Sequence, residues 1–256
     1  MKHQESMNVI KKRLIQLGVK VEEESVDIVE FESWLKKFPE IFAKYQHQGD
    51  VKIEKCLEHF LTFKFLQISS SDVFIDIAAA GSPFVDALNK KNIKSYRLDL
   101  AYPQGVNGVN IGGDASKTPL PDQFATTLAL HCAYECFQGD ADILLIKESE
   151  RILKSKGAIG IIPLYIDEIY YNATSPFCNQ AEISFDKGAK KIWRDDQYHV
   201  PFSRHYSPDA FYQRIYQSLS PKMKGKIIFF NNFISLMNHF KGQRIYCNFL
   251  FIATKG

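Results

Sequence analysis

The stretch that most constrains this chain is Asp72-Val73-Phe74-Ile75-Asp76-Ile77-Ala78-Ala79-Ala80-Gly81-Ser82-Pro83-Phe84. Val73 to Ile77 is a short apolar run that reads as a buried strand, with one carboxylate, Asp76, near its end. The chain then turns sharply through very small residues. Pro83 follows near the first position of a helix, where proline is tolerated. Small side chains at such a turn let a ligand approach the backbone, and they leave the N–H groups of the next helix exposed. The next apolar run, Tyr96-Arg97-Leu98-Asp99-Leu100, carries a second carboxylate, Asp99. An acid about 20 positions after a small-residue turn is how doubly wound folds hold a nucleoside ribose.

The rest of the chain alternates in a way that suits such a fold. Residues 1–69 read as helical, from Val9, Ile10, Leu14, Leu17 and Val21 through the broad apolar stripe of Ile53, Leu57, Phe60, Leu61, Phe65 and Leu66. Strands are expected at 73–77, 95–100, 109–111, 125–130, 158–164, 226–231 and 244–253. Helices are expected at 84–89, at 140–153 and from Ser207-Pro208-Asp209 onward. The connection from Ala101 to Gly112 is full of turn residues and leaves little room for a helical crossover, so strand three should be short and reached by a loop. Residues 165–206 are polar and aromatic and interrupt the alternation. The implied units are an N-terminal helical cap, 1–69, and a main domain, 70–256, with the insertion at 165–206.

Composition excludes several classes. The net charge of +3 is too small to argue for nucleic acid, and no basic run is interleaved with aromatics. The longest apolar run near the middle, Ala158 to Ile166, is far too short to span a bilayer, and the N-terminus leads into polar sequence. Five cysteines without a Cys-x-x-Cys fit reduced thiols. A cytoplasmic protein without nucleic-acid or membrane partners is therefore expected; the oligomeric state is not expressed in the sequence.

The glycine fingerprint of dinucleotide folds is absent, which weakens a nicotinamide oxidoreductase reading. The order of blocks instead resembles the class I S-adenosylmethionine-dependent methyltransferases of the small-molecule, type 11 kind. Their first motif is a strand ending in Asp-x-Gly-x-Gly-x-Gly; here the acid is Asp76, and Ala78, Ala80 and Ser82 stand at the glycine positions. Asp99 matches the acid ending strand two. Gly113-Asp114-Ala115 followed by Leu120-Pro121 to Phe124 matches the third block. Glu148 to Gly157 is similar to the family's helix ending in Arg-x-Leu-Lys-Pro-Gly-Gly. The resemblance covers about residues 72–164. It implies a Rossmann-like α/β fold: a mostly parallel seven-stranded sheet with an antiparallel last strand, an N-terminal helical layer, and an insertion after strand five.

The resemblance also implies roles. S-adenosyl-L-methionine would be the cofactor, held by Asp76, Ala78, Ala79, Ala80, Gly81, Asp99, Leu100, Asp114, Ala115 and His131. Asp99 would take both ribose hydroxyls and Asp114 the adenine amino group, with the Ala115 N–H on the ring. Asp76 would act indirectly, fixing the turn or a water. Methyl transfer needs mainly alignment, and an oxygen nucleophile gains from a base. His131, just past strand four, is the candidate base. No metal site is expected; His131 and Glu135 at i, i+4, like Asp167-Glu168, have no third ligand at a recognisable spacing. The insertion aromatics, including Tyr165, Tyr170, Tyr171, Trp193, Tyr198, Phe202 and Tyr206, suit a lid over a small organic substrate, and also a plain subdomain core or a dimer surface; Arg204 and His205 lean toward an anionic or hydroxylated substrate. Methylation of an oxygen or nitrogen of a small molecule is the expected activity. The alanine-rich turn keeps a second reading open, a cofactor-binding or partner-binding module on the same fold without catalysis.

Overall fold

The structure, a computed structural model, describes residues 2–79, 81–195 and 200–256. Four helices precede the small-residue turn. Met7, Ile10 and Leu14, spaced by three and four, bury one face of α1 (Lys2–Gln16), while Val9 faces out. Val21, expected to continue that helix, instead begins a strand, β1 (Val21–Glu24). Helix α2 (Ile28–Lys37) starts where the Asp27 side chain accepts from the Glu30 N–H, and α3 (Pro39–Tyr45) starts at Pro39. Helix α4 (Lys52–Phe65) is buried along most of its length.

The main alternation follows as β2 (Val73–Ile77), α5 (Phe84–Asn89), β3 (Lys94–Asn107), β4 (Asn110–Gly112), β5 (Ala125–His131), α6 (Ala141–Ile152) and β6 (Leu153–Ile162). After the insertion come α7 (Pro208–Phe211), continued by a π-turn over Tyr212–Tyr216, then β10 (Met223–Phe230), α8 (Phe233–His239) and β11 (Phe249–Lys255). The insertion itself holds β7 (Tyr171–Thr174), β8 (Lys190–Trp193) and β9 (Ser203–His205), which form a separate three-stranded sheet in the order β8-β7-β9.

The main sheet has eight strands in the order β1-β10-β11-β6-β5-β2-β3-β4. Neighbours from β6 through β2 to β3 run parallel, and β11 runs antiparallel between β6 and β10. The fold is thus α/β and mostly parallel, with the last strand reversed. The expected seven strands become eight because β1, from the segment read as wholly helical, pairs in parallel with β10 at the edge.

Strand alternation divides the core in two. Ile75, Ile77, Leu128 and Leu130 face α1, α6 and α7, whereas Phe74 and Ala129 face α2 to α5 and α8. The N-terminal helices are therefore not one layer: α1 covers one face of the sheet and α2 to α4 the other.

The turn-rich connection is also more ordered than a loop. Arg97, Leu98 and Asp99 pair with Asn110, Ile111 and Gly112; the chain then doubles back, and Gln104 to Asn107 pair with the same three residues from the other side. Gly112 is required there, because a Cβ would stand 2.0 Å from the Pro103 carbonyl oxygen. Among the described residues no helix is long and apolar enough to cross a membrane.

Candidate functional site

The turn after β2 is held in a conformation that side chains rarely adopt. Ala78 has φ +54° and Gly81 φ +77°. The Ser82 N–H donates to the Ala79 carbonyl at 2.8 Å, and the Ala79 N–H reaches the Leu98 carbonyl at 3.4 Å. Ala80 lies outside the described residues. Beneath the turn, buried Asp76 accepts from the Ser82 hydroxyl at 2.7 Å on one oxygen and meets His131 Nδ1 at 2.8 Å on the other. His131 Nε2 is 3.0 Å from the Thr62 hydroxyl of α4. Asp76 thus ties the turn to β5, and His131 carries the tie on to α4. Both ring nitrogens of His131 are engaged, so the histidine singled out as a base is built into this tie.

The expected cofactor residues divide between two cavities. One, of about 520 Å³, is lined by Ala78, Asp99, Leu100, Asp114 and Ala115, together with Cys132 to Ala133 and Cys136 to Gln138. Asp99 is half-buried and its Oδ1 accepts from the Ala101 N–H at 2.9 Å. Asp114 is exposed, and its Oδ1 accepts from the Ser116 N–H at 2.8 Å and hydroxyl at 2.7 Å, closing an Asx turn. Leu100 stands out at 78 % exposure, an apolar side chain beside two acids. Asp99 and Asp114 therefore sit at one rim of the sheet, facing one space.

The second cavity, of about 480 Å³, is lined by Asp76, Ala79, Gly81, Ser82 and His131 on the sheet side. Lys44, Tyr45, Lys55, Glu58 and His59 line it on the helix side. Ala78 and Cys132 line both cavities. Cys132 also has a positive φ, +49°, so two unusual backbone positions meet at the junction. Ala78 and Cys132 stand where the two spaces adjoin, and a ligand reaching both would bend there.

Helix α4 supplies the residues that sequence reasoning missed. Lys55 donates to Glu58 at 2.8 Å, and Glu58 is 1 % exposed. Burial pushes the carboxyl of Glu58 upward, against the pull of Lys55. Burial, with the Glu58 charge beside it, drives Glu54 higher still. His59 Nε2 is 2.9 Å from the Tyr45 hydroxyl, and its ring lies 4.2 Å from that of His131. Burial and the neighbouring His131 hold His59 well below the usual histidine value, so it is neutral. Cys132 Sγ donates to Glu135 Oε1 at 3.4 Å, and burial first, then Glu135, pushes that thiol upward, which keeps it unreactive. The signal was present: Glu54, Glu58 and Thr62 recur at i, i+4 in a helix that also carries Ile53, Leu57, Phe60 and Leu61.

The insertion stands on the loop after β5. Arg204, suggested by its type for substrate, does not face a cavity. It is fully buried, bonded to Asp186 at 2.7 and 2.8 Å and to the Gly139 carbonyl at 2.9 Å, with Asp142 at 3.1 Å. His205 is likewise taken, with Nδ1 2.8 Å from Asp167 and its ring stacked on Tyr171 at 4.3 Å. Tyr165 reaches the cleft wall, its hydroxyl 3.6 Å from Cys132 Sγ. Tyr198, among the expected lid aromatics, lies outside the described residues. Among the described residues no three His, Cys, Asp or Glu side chains gather as a metal site would require.

No protein-family model and no curated protein matches the sequence. Solved structures do match. The chain is similar to 1,6-didemethyltoxoflavin-N1-methyltransferase of Burkholderia thailandensis, with a TM-score of 0.52 at 8 % identity over 89 % of this chain and 87 % of that one. Fainter likenesses are to geranyl diphosphate C-methyltransferase of Streptomyces coelicolor (TM-score 0.48, 10 % identity, 80 % of this chain and 78 % of that one). Another is to a possible histamine N-methyltransferase of Thermotoga maritima (TM-score 0.45, 14 % identity, 89 % and 95 %). By sheet order, reversed last strand and structural likeness, the chain has the fold of the class I S-adenosylmethionine-dependent methyltransferases.

Proposed function

We propose that the protein is a methyltransferase that uses S-adenosyl-L-methionine to methylate an oxygen or nitrogen of a small molecule. The observation that carries the reading is that Asp99, Asp114 and the Ala78 turn line one cavity of about 520 Å³, within the roughly 300–1,000 Å³ of small-molecule sites. The residues fit the cofactor. Asp99 offers a carboxylate to a pair of ribose hydroxyls. Asp114 can accept from an adenine amino group, with the Ala115 N–H beside it and exposed Leu100 against the ring face. The methionine part would follow the bend at Ala78 toward Gly81. When bound, the cofactor supplies an activated methyl group on a sulfonium.

The chain's own residues then align the acceptor. His131, with both nitrogens engaged, fixes the turn and α4 relative to one another, a positioning role in place of the free base its location suggests. The B. thailandensis structure holds 1,6-didemethyltoxoflavin and S-adenosylhomocysteine, a precedent for both halves of the reading.

Calorimetry with S-adenosylhomocysteine tests it. Saturable binding that is lost in Asp99→Ala is expected; no binding of that ligand together with clear binding of a nicotinamide dinucleotide overturns it. The Ala78 methyl, standing at the bend where glycine is the family's residue, favours one second reading, a binding module without transfer. Transfer of labelled methyl from the cofactor to any compound in a metabolite mixture removes that reading.

A further inference from the structure

Four cations stand around the small-residue turn, and three of them are committed. Lys55, on α4, donates to Glu58 at 2.8 Å. Beyond Gly81 a smaller cavity, of about 430 Å³, is lined by Lys90 and Arg97, which pair with Glu40 at 3.8 Å and with Asp86 at 2.5 Å. Lys44, near the end of α3, lines both this cavity and the α4 cavity. Among the described residues it has no ion pair and no side-chain hydrogen bond. Its Nζ lies 4.0 Å from where a Cβ on Gly81 would stand. The acids of the α4 cavity do not use it: Glu58 has Lys55, and Asp76 has Ser82 and His131. The one free charge over the turn is therefore positive.

The end of α3 is also fixed against the turn. The Tyr45 hydroxyl is 2.9 Å from His59 Nε2, and the His59 ring packs 4.2 Å from that of His131, the partner of Asp76. On its own side the turn is crowded, since Ala78 carries a methyl where the resembled family has glycine. Gly81 carries none, so a charged group lying over it meets the Lys44 ammonium on the opposite wall.

We propose that Lys44 binds the carboxylate at the amino-acid end of the cofactor, so that the N-terminal helices, and not the turn alone, select a nucleoside that carries one. The proposal rests on the methyltransferase reading above and deepens it. The zwitterionic end of the cofactor suits a cavity whose charges are balanced, because its carboxylate finds the one cation without a partner. A nucleoside lacking that carboxylate gains nothing from Lys44.

Two probes test this on the full chain by calorimetry: S-adenosylhomocysteine, and its decarboxylated analogue, in which a 3-aminopropyl chain replaces the amino-acid chain. The parent should bind S-adenosylhomocysteine at least about fivefold more tightly, the upper range for an ion pair that solvent reaches. Lys44→Met should weaken S-adenosylhomocysteine about fivefold and leave the analogue within about twofold of the parent. Lys44→Arg keeps the charge and should keep the preference. Lys44→Glu places a carboxylate against a carboxylate and should reverse the preference, because the analogue presents only an ammonium. Lys44 is exposed, so none of these changes should disturb the fold. A loss shared equally by both probes, a preference unchanged in Lys44→Met or Lys44→Glu, or no preference in the parent overturns the proposal. Failure of S-adenosylhomocysteine to bind the parent overturns the reading beneath it, so the first titration tells the two failures apart.

Discussion

Asp76 and His131 share a 2.8 Å contact between Oδ1 and Nδ1, and with it one carboxylate serves both the small-residue turn and the strand that faces it. Asp76→Ala strands a buried imidazole and the Ser82 hydroxyl. The expected loss is about 2–4 kcal/mol of folding stability, read by urea unfolding. The affinity for S-adenosylhomocysteine should fall as well, since the turn loses its anchor. Asp76→Asn, which keeps one acceptor, should cost less on both counts.

Asp99→Ala should act on binding and not on the fold. Two hydrogen bonds to a charged group, at about 1.5–3 kcal/mol each, amount to at least roughly a hundredfold in affinity. Asp114→Ala should cost about tenfold, one such bond, and should also loosen the Asx turn at Ser116. Calorimetry gives both, and a thermal scan should place both variants within about 4 °C of the parent.

Ala78→Gly relieves a side chain held at φ +54°. The left-handed conformation costs roughly 1–2 kcal/mol for such a residue, and the added freedom of glycine in the unfolded chain takes back about 0.4–1 kcal/mol. A net gain of up to about 1.6 kcal/mol is expected in unfolding experiments, with tighter cofactor binding because the methyl leaves the bend of the cleft. A loss of affinity would show that the methyl packs against the ligand.

Glu54 carries a pH signature. Its carboxyl is raised in the folded protein, by burial first and by the Glu58 charge second. A raised acid stabilises the fold while protonated, so its contribution is complete below the unfolded value near 4.3 and drains away as pH rises through the folded value. Unfolding free energy should therefore decline between about pH 5 and pH 9, by at most about 1.4 kcal/mol per pH unit per proton. Glu54→Gln should flatten the decline and gain most over the parent at the alkaline end. An equal change at both ends would assign the effect elsewhere.

Arg204 fastens the insertion to the loop after β5. Arg204→Met leaves Asp186 buried without its cation and takes the guanidinium donor from the Phe137 carbonyl, while Arg214 still reaches Asp142 at 2.7 Å and the Gly139 carbonyl. A loss of about 3 kcal/mol is expected, with early proteolysis within residues 175–195, detected by mass spectrometry before the main sheet is cut.

How much of this was legible in the residues depended on how local each signal was. The Asp76 turn, Asp99, Asp114 and Ser207-Pro208 speak through short spacings, and their elements lie within a few residues of expectation. Strand β1 did not, because Val21-Glu22-Glu23-Glu24 has no apolar run of its own and becomes a strand by pairing with Ile227 to Phe230. The doubled edge at Gln104 to Asn107 was hidden for the same reason: turn residues there form strand pairing only because Gly112 admits the Pro103 backbone. Arg204 and His205 were misread because residue type does not tell a paired side chain from one facing a ligand. Glu58 was passed over since acids on a helix usually face water, although its i, i+4 spacing with Glu54 and Thr62 was there to read, and tertiary packing buries all three.

The pairing of Val21 with Ile227 joins the start of the chain to a segment about 200 residues later. During synthesis at roughly 5–20 residues per second, that strand waits some 10–40 s for its mate. The central parallel strands can assemble in the meantime, but β1 stays without its partner until β10 has left the ribosome. An early stop codon before residue 223 would therefore cost the protein its first strand as well as its last ones.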